Sequence, residues 1–280
     1  MRIGLVSNTV GEGTIDDVIN EAREAAADGF HTLWTPQIFG FDALTLLALV
    51  GRAVPGIELG TAVVPTYPRH PMMLAQQALT VQAATGGRLA LGIGLSHQIV
   101  VENMWGISFE KPVRHMREYL NVLMPMLEGK PVAFNGETYR VNAAAQVAGG
   151  SRPSVLVAAL GAQMLRLCGA LTDGTSLWCV GPETIRNFTV PTLSEAAEAA
   201  GRPAPRVEAL HPLAAEHREA STRPDHHRLR SPRQGPLVPA RGLRHRLLRP
   251  VCAPRLRRRD ATVPQPPASL HGLHDHGVAL

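Results

Sequence analysis

The sequence predicts an α/β protein folded as a parallel (β/α) barrel, with a doubly wound parallel sheet as the alternative. Short apolar runs alternate with amphipathic segments of helical length over the first 210 residues. The runs are apolar at consecutive positions, as expected for strands that are buried on both faces of a parallel sheet. With 280 residues and 45% hydrophobic side chains, the chain can bury one barrel-sized core.

The clearest supersecondary unit is a strand, a helix and a second strand. Apart from Glu58, residues 57–64 are β-branched, apolar or small, and residues 89–95 form a second run of this type. Between them, Pro71 suits the first turn of a helix whose apolar stripe ends at a Gly-Gly pair. The three pieces have the size of a βαβ unit.

The carboxyl ends of these two strands are expected to face one ligand site, because ligands of parallel α/β folds lie at that edge of the sheet. Residues 62–67 leave the first strand and residues 94–97 leave the second. Gly92 and Gly94 permit either close packing of the strands or close approach of a ligand to the backbone.

The elements before this unit follow the same alternation. An apolar strand at residues 3–7 precedes a helix at residues 15–28, which opens at Thr14 with two aspartates and stops at a glycine. A second strand is predicted at residues 32–35 and a second helix at residues 42–50.

The alternation continues after the unit. A helix runs from Pro112 to about residue 127, and a hairpin follows around an Asn-Gly turn. The basic start of this helix, residues 111–117, is predicted to be a solvated face. The later strands are predicted at residues 155–159, 175–180 and 206–210, and the later helices at residues 162–171 and 182–200.

The charge is divided unevenly along the chain. The net charge is +5, but residues 211–280 hold 13 arginines against five acidic residues, so the preceding 210 residues are mildly acidic. No apolar run reaches membrane-spanning length and the first ten residues lack signal-peptide features, which predicts a cytoplasmic protein without a membrane partner.

The three cysteines do not have metal-ligand spacing. Cys168, Cys179 and Cys252 are odd in number and widely separated, so we expect buried thiols rather than disulfides. No metal site is predicted.

The last quarter of the chain has a different composition. From residue 211 onward there is no Ile, Phe, Tyr, Trp, Met, Asn or Lys, whereas ten prolines and eight of the 12 histidines occur there. Such a segment cannot bury enough apolar surface to offset its ordering entropy. We therefore place a domain boundary after residue 207, with an Arg/Pro/His-rich tail at residues 208–280.

Two origins of the tail are considered. The joint loss of residues with A- or T-rich codons is typical of a frameshift in a GC-rich gene, which leads to the hypothesis of a barrel that is incomplete at its C-terminus. The rival is a basic arm for nucleic acid, but the tail has no lysine and no aromatic residue to stack on bases. We do not expect nucleic acid as a partner.

Several motifs carry a resemblance to a known family. These segments are LGTAVVPTYPRHP, GGRLALGIGLSH, KPVRHMREYLNVLMPMLEGKPVAFNGETYRV and VLVAALGAQMLRLCGALTDGT. Together they resemble the luciferase-like flavin and deazaflavin oxidoreductases, and within them the coenzyme F420-dependent branch. The resemblance covers residues 1–207 and implies a (β/α)8 TIM barrel with the cofactor at its carboxyl-terminal face.

The resemblance also implies cofactor contacts at four strand ends. They comprise a bulge behind the ring, often with a non-prolyl cis peptide, a ring pocket, backbone donors for a phosphate at a helix N-terminus, and a neighbouring loop. The corresponding positions are, in this order, Ala62 and Val63; Gly94, Leu95 and Ser96; Ala159, Leu160 and Gly161; and Gly181.

The implied chemistry is hydride transfer between the deazaflavin and a small organic substrate. Relatives that oxidise alcohols or sugar phosphates have a histidine after the second strand and a glutamate at the end of the fourth. Here residues 36–38 read Pro-Gln-Ile and residues 95–97 read Leu-Ser-His. We therefore favour reduction of an unsaturated or carbonyl-type molecule, with His97 as the proton donor.

Alternatives stay open at this stage. Trp34 is interpreted as a core residue and His70 as a helix cap, while Gln37 is a further candidate for the pocket. FMN is the alternative cofactor, as in a luciferase-like monooxygenase, and a non-catalytic remnant of the family is a further reading. The relatives suggest a homodimer.

Overall fold

A computed structural model describes residues 2–7 and 9–211, and in them strands and helices alternate as predicted. The strands are β1 (Gly4–Val6), β2 (Thr32–Thr35), β3 (Glu58–Thr61), β4 (Val64–Pro65), β5 (Leu89–Gly94), β6 (Val132–Asn135), β7 (Arg140–Ala143), β8 (Ser154–Ala158), β9 (Gly174–Trp178) and β10 (Arg206–Leu210). The predicted strand at residues 57–64 is interrupted, since β3 and β4 are separate pieces.

Seven α-helices lie in the described residues. They are α1 (Ile15–Ala27), α2 (Ala43–Ala53), α3 (Pro71–Ala84), α4 (Pro112–Leu127), α5 (Ala162–Leu171), α6 (Pro182–Thr184) and α7 (Val190–Ala199). A π-helical turn, Ile185–Thr189, joins α6 to α7, so the predicted helix at residues 182–200 is continuous but irregular. A 3-10 turn at Thr9–Gly11 and a π-helix at Val100–Met104 were not predicted.

The main sheet is parallel in the order β1-β2-β3-β5-β8-β9-β10, with β4 beside the end of β5, and β6 and β7 form a separate hairpin. The sheet curls, as is shown by one buried cluster that side chains from strands far apart in this order share. That cluster contains Trp34, Ala90, Leu156 and Leu210. The described strands therefore form a nearly closed parallel (β/α) barrel, which confirms the predicted barrel over the doubly wound alternative.

An ion pair spans the amino-terminal end of the barrel. Arg206 of β10 donates two hydrogen bonds, of 2.9 and 2.7 Å, to the carboxylate of Glu58 on β3. Its guanidinium carbon also lies 5.5 Å from the ring centroid of Trp34. Burial alone would raise the pKa of Glu58, but hydrogen bonds from Arg206 and Thr32 lower it. The pair ties the last described strand to the third.

The helix layer is fixed to the sheet by a second arginine. Arg88, just before β5, donates to the backbone carbonyls of Gly51, Val54, Ile57 and Thr85, at 2.7 to 3.0 Å. Two of these acceptors are at the C-terminus of α2, whose last carbonyls have no helical partner. Arg88 thus caps α2 and joins it to the loops that precede β3 and β5.

Two surface predictions are wrong. Cys168 is buried, but Cys179 is exposed, because it follows β9 with φ of 55° and its side chain leaves the sheet. In the basic segment at residues 111–117, His115 and Met116 are buried, so only part of that face is solvated. Cys252 and the tail after residue 211 lie outside the described residues.

Candidate active site

The carboxyl ends of the parallel strands meet at one edge of the barrel, where ligands of this architecture bind. All four groups of predicted cofactor positions lie at this edge, after β3, β5, β8 and β9. None of them is contradicted by its position in the fold, and their roles stay predictions.

The end of β3 carries an unusual backbone. The peptide bond between Ala62 and Val63 is cis, as the resemblance implies, and both residues are half-buried. The hydroxyl of Thr61 donates to the carbonyl of Gly92 (2.7 Å) and accepts from its N–H (2.9 Å). A side chain thus replaces the strand-to-strand bonds where the backbone turns away.

The glycines of β5 are required by packing against this bulge. A Cβ at Gly92 would lie 2.0 Å from the carbonyl oxygen of Thr61, and one at Gly94 would lie 2.7 Å from Cγ2 of Val63. Of the two interpretations left open, close strand packing accounts for Gly92. Gly94 is buried beside Val63 and Ala158, and its contact to a cofactor stays a prediction.

The segment after β5 turns sharply outward. Ser96 has a φ of 67°, and the backbone carbonyl of His97 accepts from the N–H groups of Val100 and Val101 at 2.9 and 3.0 Å. This starts the π-helix and leaves the imidazole of His97 exposed. The side chain is accessible to a substrate at the strand edge.

The loop after β8 presents a free helix N-terminus. Ala159 is buried, Leu160 is exposed, and Gly161 is the N-cap of α5 without a side-chain cap bond. A Cβ at Gly161 would meet nothing within 4 Å, so the space before the helix is open. Gly181 is similarly exposed, at the start of the much shorter α6. The amino end of α5 is suited to an anionic group.

Sequence reasoning missed a buried polar contact beside the bulge. The Nε2 atom of His115 on α4 lies 3.0 Å from the hydroxyl of Thr66, and the ring of Tyr67 stacks on the imidazole with centroids 3.9 Å apart. Burial lowers the pKa of His115 to about 4, against a smaller opposing effect of Glu118. One feature of the sequence could have indicated that His115 is buried. His115 and Tyr119 are spaced at i and i+4, so they share one face of α4, and that face is buried.

Glu118 holds the hairpin against this helix. Its carboxylate accepts the backbone N–H groups of Glu137, Thr138 and Tyr139, at 2.7 to 3.1 Å. A Cβ at Gly136 would lie 2.4 Å from the same carboxylate, so the tight approach requires glycine there. The β6–β7 hairpin is thereby fixed beside the aromatic side chains of α4.

The remaining candidates have structural roles. Trp34 is buried inside the barrel, as interpreted. The Nδ1 atom of His70 accepts from the N–H of Met72 as the N-cap of α3, which confirms its role as a cap. Gln37 accepts the N–H of Ala43 at the start of α2. In residues 2–7 and 9–211 there is no group of three potential metal ligands and no helix long and apolar enough to span a membrane.

A sequence profile described as luciferase-like monooxygenase matches residues 1–252. The chain belongs to this family. The range matched by the luciferase-like profile passes residue 207, and the domain boundary proposed there stays a prediction.

Two curated relatives of this luciferase-like protein are named as a reductase and as a putative oxidoreductase. It is 34% identical over 157 residues to 5,10-methylenetetrahydromethanopterin reductase of Archaeoglobus fulgidus, an alignment that covers 54% of this chain and 45% of that protein. It is 39% identical over 123 residues to the putative coenzyme F420-dependent oxidoreductase Rv3520c of Mycobacterium tuberculosis, covering 43% and 35%. The matched part thus spans less than half of either relative.

A solved structure supports the luciferase-like fold. The coenzyme F420-dependent tetrahydromethanopterin reductase from Methanopyrus kandleri superimposes with a TM-score of 0.64 and 23% identity, over 74% of this chain and 65% of that one. At this identity the likeness shows the fold alone.

Proposed function

We propose that the protein is a coenzyme F420-dependent oxidoreductase that transfers a hydride between the deazaflavin and a small organic substrate. The observation that carries the proposal is the carboxyl edge of the barrel, where a half-buried apolar bulge lies at the end of β3 and the N-terminus of α5 has no side-chain cap and open space at Gly161. The 39% identical relative, named as a putative F420-dependent oxidoreductase, supports this cofactor.

The residues at this edge fit the two ends of such a cofactor. Ala62 and Val63 offer an apolar surface for a flat ring, and Gly94, Leu95 and Ser96 form the adjoining wall. The backbone of residues 159–161 offers donors to a phosphate, and Gly181 lies in the next loop. When bound, the deazaflavin would supply the hydride chemistry.

His97 is the proposed proton donor. Its imidazole is exposed at the end of β5, and it holds its position through backbone bonds that do not occupy the ring. An imidazole can donate a proton, so His97 can deliver one to a carbonyl or unsaturated substrate. The acid/base pair of alcohol-oxidising relatives is not present at residues 36–38 and 95–97, and this favours the reductive direction.

Cofactor binding by the full chain tests the proposal, with fluorescence titrations of coenzyme F420 and FMN. Gly161→Asp places a carboxylate where the phosphate is proposed, whereas Gly161→Asn places a neutral side chain of the same shape there. Both residues cap a helix well, so the fold is preserved. We expect Gly161→Asp to weaken F420 binding by about tenfold or more, because its carboxylate repels the phosphate, and Gly161→Asn to leave the affinity nearly unchanged. If the two variants had equal effects on F420 affinity, the phosphate would not bind at the N-terminus of α5.

Turnover tests the role of His97. His97→Asn is expected to lower the rate of substrate reduction by roughly 100-fold, the usual contribution of a proton donor, while cofactor affinity stays within about twofold. Binding without any turnover would instead indicate a non-catalytic cofactor-binding protein.

A second candidate function is an FMN-dependent monooxygenase. The family profile names monooxygenases, and the same barrel edge would hold an FMN ring and its phosphate. This function requires FMN to bind in preference to the deazaflavin and oxygen to be consumed in the presence of a flavin reductase. The same titration, followed in an oxygen electrode, separates the two candidates.

A further inference from the structure

In residues 2–7 and 9–211, the large apolar side chains that are most exposed are concentrated at one edge of the barrel. Six of them are 58–71% exposed and lie at the carboxyl ends of β2, β5, β8 and β9 or in the loops that follow. They are Ile38, Phe39, Ile99, Met104, Leu160 and Trp178. Among the described residues, the next most exposed large apolar side chain is Ile3, at 57%.

Single exposed apolar residues are normal on a protein surface, but a concentration of them marks a binding site. These six come from four strand ends that the barrel brings to one rim. The rim surrounds the proposed cofactor edge, because Leu160 and Ile99 follow the same strands as Gly161 and His97. The apolar surface therefore belongs to the region where a substrate must lie to react.

Three of the four loops that carry these apolar side chains are uncharged, and the fourth, after β5, holds Glu102, Glu110 and Lys111. The loops at residues 36–41, 159–161 and 179–181 contain no charged side chain. Arg69 forms an ion pair with Asp42. In the loop after β5, Glu102 accepts from the side chain of Gln98 and the backbone of Phe109, at 3.1 and 3.3 Å. A charged substrate body would find little compensation for its lost hydration.

We infer that the substrate is an uncharged molecule with a substantial apolar body and a single polar reacting group placed near His97. The inference rests on the proposed function and deepens it by naming the substrate class. Sugar phosphates and polycarboxylates are excluded by this chemistry, because the proposed phosphate site at α5 serves the cofactor.

The test uses Trp178 as a reporter that does not depend on turnover. Trp34 is buried and Trp105 is partly buried, so the emission of exposed Trp178 is the most sensitive to a ligand at the rim. The full chain is titrated with 2-alkanones from 2-butanone to 2-decanone and with 9-oxodecanoate, with and without coenzyme F420. Trp178→Phe identifies the part of the signal that comes from the rim.

We expect the dissociation constant to fall about three- to fourfold for each added methylene, as for burial of apolar surface. The ketone that ends in a carboxylate is expected to bind at least about tenfold more weakly than the neutral ketone of equal length. Phe39→Ser should weaken binding of the long ketones. The matched control Ile3→Ser, a similarly exposed position before β1, should leave it unchanged.

Several results would overturn the inference. One is a ketone affinity that does not depend on chain length, and another is an affinity for 9-oxodecanoate equal to that for 2-decanone. A third is a Trp178 whose fluorescence acrylamide cannot quench in the free protein, because this would mean that the chain itself covers the rim. A dimer that Phe39→Ser dissociates in sedimentation would assign the rim to a second copy.

The same titrations separate this inference from the function on which it rests. If the ketones bind with the expected dependence on chain length but F420 does not bind, the apolar site is supported and the proposed cofactor is wrong. If F420 binds but ketone affinity does not depend on chain length, the inference about the substrate is wrong and the proposed F420-dependent function stands.

Discussion

Protonation of His115 should make the protein less stable in mild acid. The side chain is 4% exposed, and burial lowers its pKa from about 6.5 to about 4. Below pH 6.5 the unfolded chain binds a proton that the folded chain refuses, so stability is full above that pH and is lost as the pH falls towards 4. The loss amounts to about 2 kcal/mol between pH 7 and pH 5, and to about 3 kcal/mol well below pH 4.

The window from pH 7 to pH 5 separates the effect of His115 from those of the half-buried carboxylates of Asp42 and Glu58. The pKa values of Asp42 and Glu58 are lowered from ordinary values near 4, so their contribution to stability is lost only in stronger acid. Urea unfolding of the wild type and of His115→Phe at pH 7, 6 and 5 makes the measurement. Phenylalanine keeps the stack on Tyr67 but cannot be protonated. If both proteins lose the same stability over this range, the reasoning about His115 is wrong.

Three further predictions concern stability and are all measured by chemical denaturation at pH 7. Arg88→Met should cost about 3 kcal/mol, since four backbone carbonyls lose a charged donor; an unchanged midpoint would contradict its capping role. Glu118→Gln should cost about 1.5–3 kcal/mol because three N–H groups lose a charged acceptor, and proteolysis at the hairpin should increase. Gly92→Ala should cost roughly 3 kcal/mol or more by overlap with Thr61, whereas Gly11→Ala, with open space around it, should stay within about 0.5 kcal/mol.

The regular elements could be predicted because local residues determine them. Thr14 and Asp17 form the capping box that opens α1, and Pro71 stands in the first turn of α3. The apolar runs identified the buried strands because parallel strands are covered on both faces. The position of the candidate site followed from the same pattern, since it needs only the strand ends.

Features that depend on distant contacts could not be predicted. His115 lies in a basic stretch that suggested a solvated face, and only its contact with Thr66, 49 residues earlier, places it in the core. The π-helix at Val100–Met104 shows no signal in local propensity. Cys179 is exposed because its backbone turns with a φ of 55°, and a cysteine in the sequence gives no indication of such a turn. The cis bond after Ala62 was expected from the family resemblance and not from the residues themselves.

The contact between Arg206 and Glu58 has a consequence for synthesis on the ribosome. The two residues are 148 positions apart, so the sheet cannot be tied across its amino-terminal end until Arg206 has left the exit tunnel. Until then Glu58 lacks its cation, and the indole of Trp34 lacks the guanidinium above it. At about 5–20 residues per second, this interval lasts several seconds or more. During that time the nascent sheet is the form of the protein that chaperones and proteases meet.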